Sequence, residues 1–249
     1  MSLRNKTIII TLFAIAMGFL ETSVVIYMRE LLYPGGFEFP LAPIPVNLAL
    51  TELLREAATL IMLLTIGLMA GKTASQRFAW FIYTFAIWDI FYYVFLKVLI
   101  GWPESLLTWD ILFLIPTTWT GPVLAPVLVS MTMILLAMVM LTFAEKGADT
   151  RLKGREWGGL ILGSLILIFG FVLDYSQHML TNFSLIGMFR INDPEVFEVA
   201  MRYIPVRFPW WIFTIGEVVI LGTVLLYWRR IQGNEHRTSL PAGRQGTPI

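Results

Sequence analysis

The 249-residue chain is 57% hydrophobic and only 14% charged, with a mean hydropathy of +0.74; a soluble domain averages about a quarter charged, so this composition belongs in a bilayer. Eighteen Lys and Arg against seventeen Asp and Glu leave a net charge of +1, without the concentrated basic footprint of a nucleic-acid binder. The absence of cysteine excludes disulfides, thiolate metal sites, iron–sulfur clusters, covalently attached c-type haem and a cysteine nucleophile.

Six apolar segments are long enough to span a membrane, each needing about 20 residues. They are Thr7 to Met28, Asn47 to Ala70, Phe78 to Ile100, Gly121 to Ala144, Gly158 to Gln177 and Trp210 to Trp228. The first follows Arg4 and Lys6, as a signal peptide would. However, Glu21, Thr22 and Ser23 offer no small-residue cleavage site and the apolar run resumes to Met28, which predicts a retained helix. Lys and Arg concentrate on the cytoplasmic side of short loops. With the N-terminus inside, that side holds Arg4, Lys6, Lys72, Arg77, Lys146, Arg151, Lys153, Arg155, Arg229, Arg230, Arg237 and Arg244. Both termini are therefore expected in the cytoplasm, with the protein in the inner (plasma) membrane. The expected fold is an all-α, polytopic bundle: one transmembrane domain over residues 1–230 and a disordered cytoplasmic tail over 231–249, polar and rich in Gly, Pro and Arg.

The expected outer connections are the longer ones. Leu32 to Val46 carries Pro34, Pro40, Pro43 and Pro45 with Gly35-Gly36, which predicts an extended loop. In Gly101 to Thr120 the apolar stretch from Leu106 to Ile115 is too short to span, and it predicts a re-entrant or interfacial segment. Trp102, Trp109 and Trp119 suit the headgroup level. Between Met179 and Pro209, a short amphipathic helix is predicted near Pro194 to Tyr203. Gly67 with Gly71, and Gly159 with Gly163, form small-xxx-small pairs that let helix backbones approach closely.

The motifs that the chain lacks narrow the chemistry. The sequence holds no Walker phosphate loop, His-Glu-x-x-His helix, Gly-x-Ser-x-Gly elbow or pair of Glu-x-x-His motifs, so nothing points to nucleotide, zinc or di-iron chemistry. With His178 and His236 the only histidines, histidine-rich metal chemistry and bis-His haem are excluded. A singly ligated haem has no support, and the cofactor stays unknown.

The positive signal is the depth of the ionisable residues. At about 1.5 Å per residue, Glu21, Glu52, Glu56, Asp89 and Glu217 sit roughly 8 to 18 Å inside their spans. Tyr92, Tyr93 and Lys97 follow Asp89 on one helical face. Charges at such depth face protein or water and mark a site by default. All fall at or outside the midplane, so the expectation is one outward-facing cluster in a vestibule, neutralised by Arg55 and Lys97. Glu52-Leu53-Leu54-Arg55-Glu56 reads as its organiser, with Arg55 holding Glu52 and Glu21 in a planar fork and leaving Glu56, Asp89 or Glu217 as the working group. Buried ion pairs also serve packing alone, and Asp89 with its tyrosines reads equally as an interhelical contact. Asp174 and His178, one turn apart, form a secondary candidate that reads more simply as a helix-end pair than a metal site. Asp110 reads as a cap or loop residue.

Three classes remain open. One is a protein binding a small polar or lipid-derived ligand, or a cation or proton, for transport. The second is an enzyme acting on a lipid or isoprenoid at the outer leaflet through paired carboxylates. The third is a non-enzymatic assembly or partner-binding subunit. The bilayer is the one partner the sequence assures; catalytic residues, subunit partners and oligomeric state are left open.

Overall fold

The computed structural model describes residues 1–190 and 193–239, with side chains as far as Gly233. Its elements run α1 (Leu3–Leu32), α2 (Val46–Ala70), α3 (Ala74–Ile100), β1 (Trp109–Phe113), β2 (Trp119–Pro122), α4 (Leu124–Glu145), α5 (Gly154–Leu180), α6 (Pro194–Met201) and α7 (Trp210–Ser239), with a single 3-10 turn at Gly187–Phe189. Six of the helices are long and apolar enough to cross a membrane, so the chain is a multi-pass helical membrane protein. Each expected span is there; α1, α3, α5 and α7 overrun their apolar runs by several residues, whereas α4 begins only at Leu124, because Gly121 and Pro122 belong to β2. The last runs to Ser239, past the Ile231 at which a disordered tail was expected; residues 240–249 lie outside the described residues.

Local chemistry sets the helix ends. Ser2 and Thr73 accept hydrogen bonds from Asn5 N and Gln76 N at the starts of α1 and α3, satisfying donors that have no partner inside the helix. Gly101 ends α3 at φ +72°, the left-handed conformation that glycine takes without strain. Asp193 caps α6, with Pro194 in its first turn.

α3 is the hub, packing against α1, α2 and α4, while α5 packs on α7 and α4 joins the two groups. The main core runs from Trp80 and Tyr83 on α3, through Leu136 and Met140 on α4, to Val224 and Tyr227 on α7. Glycines permit the closest approaches. A Cβ on Gly71 would lie 2.3 Å from Arg77 N, and one on Gly159 would lie 2.2 Å from Thr223 Oγ1. These small-residue pairs therefore hold α2 against α3 and α5 against α7. The end of the bundle with short connections is also tied by charge: Arg230 donates to both oxygens of the buried Glu156, at 2.6 and 2.8 Å.

The other end carries the long connections. Tyr33 to Pro45 is free of helix, as its prolines predict, and Pro194–Met201 is helical. The segment after α3 forms an antiparallel hairpin, with Asp110 opposite Gly121, Ile111 opposite Thr120, and a bulge between Ile111 and Phe113. The two strands pair their facing backbone groups with each other, and the groups on the outer edges need partners elsewhere. Gly121 lets the hairpin press on α5: a Cβ there would come 2.9 Å from Phe208 Cε2 and 3.3 Å from Phe171.

Candidate functional site

The long connections roof a cavity of about 350 Å³, walled by the ends of α1, α2 and α3, the hairpin, Tyr175 of α5, and α6. Glu52, Glu56 and Thr59 line it because α2 buries one stripe, Glu52, Glu56, Thr59, Leu63 and Gly67, at the three- and four-residue spacing of a helical face. The polar part of that stripe lies at the loop-rich end, and the apolar part packs below it.

Five ties converge on the cavity. Arg55 donates through Nη1 to Glu21 Oε1 and through Nε to Glu52 Oε2 at 2.7 Å, joining α1 to α2 as the sequence predicts. Thr59 donates to the second oxygen of Glu21 at 3.4 Å. Glu56 accepts the backbone N–H of Leu114 at 2.8 Å and that of Ile115 at 3.0 Å, one on each oxygen, and so holds the hairpin tip. Asp89 accepts from Ser130 at 2.8 Å, linking α3 to α4. Asp110 takes Arg29 Nη2 on one oxygen and the Tyr93 hydroxyl on the other, each at 3.3 Å. Arg29 is also held between rings, its guanidinium carbon 3.7 Å from the Trp102 centroid and 4.4 Å from that of Phe37, a cation–π sandwich. Tyr92 and Tyr93 line the same space.

Two of the expected members of the cluster, Lys97 and Glu217, lie elsewhere, and the secondary candidate, Asp174 with His178, is not a site of its own. Lys97 is not a counter-ion of the cluster: its ammonium donates to the carbonyls of Gly101 and Pro103, stabilising the C-terminal end of α3. Arg29 takes that place, and its partner Asp110 is a full member of the site. Glu217 does not line the cavity. It faces α4 and accepts from Thr132 at 2.9 Å, with Oε1 buried and unpartnered among the described residues. Asp174 and His178 do not act as a pair. Asp174 accepts from the Tyr203 hydroxyl and from the backbone of Val206 and Arg207, while His178 Nε2 bonds the Val199 carbonyl at 2.9 Å. Both pin the last long connection onto α5. Burial pushes the Tyr203 hydroxyl above its ordinary pKa, which keeps it the neutral donor that Asp174 needs.

Asp110 is buried, and desolvation pushes its pKa from 3.8 up to about 6, against the opposing pull of Arg29, its own strand backbone and Tyr93. Asp89 and Tyr92 are the other titratable groups that feel its charge. A carboxylate with a raised folded pKa binds more protons folded than unfolded between the two values. Stability therefore falls as pH rises from about 4 to about 6 and stays lowered above that. In Asp110→Asn this slope should vanish. Thermal midpoints of both proteins in detergent, taken from pH 4 to 8, check it: the wild-type midpoint should drop relative to the variant across that window, and a constant difference would mean that Asp110 is ionised throughout.

Among the described residues no three His, Cys, Asp or Glu are grouped to hold a metal ion. Against protein-family models, curated proteins and solved structures the chain has no significant match, so its functional reading rests on the residues themselves.

Proposed function

We propose that this multi-pass protein sits in the inner membrane with both termini in the cytoplasm, and binds a small polar or lipid-derived ligand in the carboxylate–arginine cavity, which faces outward. One observation carries the reading: the same cavity has a charged end, with Glu21, Glu52, Arg55 and Asp89, and an apolar wall that includes Val25, Met28, Leu41, Ile44 and Val196. A ligand pocket has this composition, mostly apolar with a few placed polar groups, and usually exceeds about 300 Å³. All five carboxylates on the wall already accept a hydrogen bond from a protein donor, which supports binding over acid–base turnover.

The outward orientation rests on the basic residues gathered at the short-loop end. Because the chain has no cysteine, single probes need no prior engineering. Ser105→Cys, at the loop-rich end, should react with a membrane-impermeant maleimide in intact cells, and Lys72→Cys only after lysis; the reverse pattern would place the cavity inside. For the ligand, Ala200→Trp fills the apolar wall. Mass spectrometry of small molecules released from purified protein should find an amphiphile or polar metabolite that the blocked variant lacks. Identical extracts from a folded variant would defeat the proposal.

A further inference from the structure

The cavity wall also constrains what the ligand is, if this cavity is the ligand site as proposed above. Glu21, Glu52, Glu56, Asp89 and Asp110 face two cations, Arg29 and Arg55, and both arginines already hold carboxylates. The surplus of negative charge in a partly dry space favours a positive group on the ligand and opposes a purely anionic one.

A second, independent feature asks for an acceptor. Trp88 lines the cavity, is 7% exposed, and keeps its indole N–H buried without an acceptor among the described residues. Arg29 Nη1 is buried and unpartnered in the same way. Buried donors are almost always satisfied, and leaving one unpaired carries its full desolvation penalty. A cationic amine alone has no lone pair to offer either of them.

Size and lining limit the rest. About 350 Å³ is the space of roughly a dozen waters at about 30 Å³ each, enough for a head group and the first carbons of a chain. The apolar wall suits those carbons. A neighbouring polar hollow shares Arg29, Tyr33 and Phe37 with the cavity, so these three side chains form the partition between them.

The geometry points to a zwitterionic amphiphile as the ligand: a primary ammonium among the surplus carboxylates, oxygen acceptors in the same head group for the unpartnered donors of Trp88 and Arg29, and an acyl or isoprenoid chain along the apolar wall. The head of an ethanolamine phospholipid has this chemistry, as does a chain-bearing amino acid derivative.

The test uses the full chain in a neutral maltoside detergent, with binding read by native mass spectrometry and by thermal shift. Three single-chain probes separate the requirements: lysophosphatidylethanolamine carries both charges, lysophosphatidylglycerol lacks the ammonium, and dodecylamine lacks the acceptor. Lysophosphatidylethanolamine should half-saturate at a concentration at least tenfold below either of the others. Trp88→Phe should weaken it about tenfold, and Asp89→Asn, which keeps an acceptor for Ser130, should narrow its lead over lysophosphatidylglycerol. A preference for lysophosphatidylglycerol or dodecylamine, still abolished by Ala200→Trp, would overturn the zwitterion and leave the cavity as a ligand site. Binding of lysophosphatidylethanolamine equal in wild type and both head-group variants would overturn it too. If no probe saturates, or Ala200→Trp changes nothing, the site itself fails.

Discussion

Arg55→Met is expected to lower the thermal midpoint in detergent by roughly 10 °C or to prevent recovery of folded protein. The substitution leaves Glu21 and Glu52 facing each other without a cation, and their side chains are only 13% and 10% exposed within the bundle. Breaking a buried pair by removing one partner costs about 3–5 kcal/mol; for a chain of this length each kcal/mol moves the midpoint by about 2–4 °C. Arg55→Lys should fall between, because an ammonium cannot reproduce the two-pronged geometry. The decisive comparison is the triple variant Glu21→Gln, Glu52→Gln, Arg55→Met. With no net charge stranded, it should regain most of the loss. If Arg55→Met melts within about 2 °C of wild type, the triad is solvated and ties nothing.

How much of this was legible beforehand follows from what each signal measures. The spans are set by transfer free energy, which accumulates over some 20 residues and tolerates single errors, so all six were readable. The Glu52-Arg55-Glu56 stretch was readable as a clamp because residues three and four apart share a helical face whatever the fold. Glu217 lies outside the cavity for the converse reason. Its depth is a property of the sequence, but its direction around the helix, and hence its partner Thr132, depends on how α7 is rotated against α4.

Arg29 and Asp110 show a second kind of failure. Arg29 sits near the end of α1 and is followed by Glu30, where an arginine ordinarily snorkels to the headgroups, and nothing local says that Phe37 and Trp102 will close on it. Asp110 lies in a five-residue run, Trp109 to Phe113, where Leu112 breaks the apolar–polar alternation that signals a strand, and Asp110 is its buried residue. The apolar character of the run hid the strand. A short strand inside a helical membrane protein needs its outer backbone groups satisfied, and the sequence holds the answer far away, in Glu56. The depth of that residue first suggests chemistry, and its two bonds to the hairpin tip give the depth an architectural cause.

Glu56→Ala should therefore unseat the hairpin. It strips the amides of Leu114 and Ile115 of a charged acceptor, and hydrogen bonds to a charged group contribute about 1.5–3 kcal/mol each. Two lost together come to about 3–6 kcal/mol, concentrated in one short element. Glu56→Gln should fall midway, since its amide offers one oxygen where two donors point. In hydrogen exchange read by mass spectrometry, peptides covering 106–123 should lose protection, while those of the α5–α7 pair, held by Gly159 and by Arg230 with Glu156, keep theirs. Because the hairpin also carries Asp110, its release takes the counter-charge from Arg29 and opens the cavity on one side. Ligand retention should fall in step with hairpin protection across wild type, Glu56→Gln and Glu56→Ala. Unchanged exchange at 106–123 would show that water or neighbouring groups satisfy the tip, and would return Glu56 to the ligand as a free carboxylate. The graded series thus decides whether the deepest charge on α2 builds the cavity or works inside it.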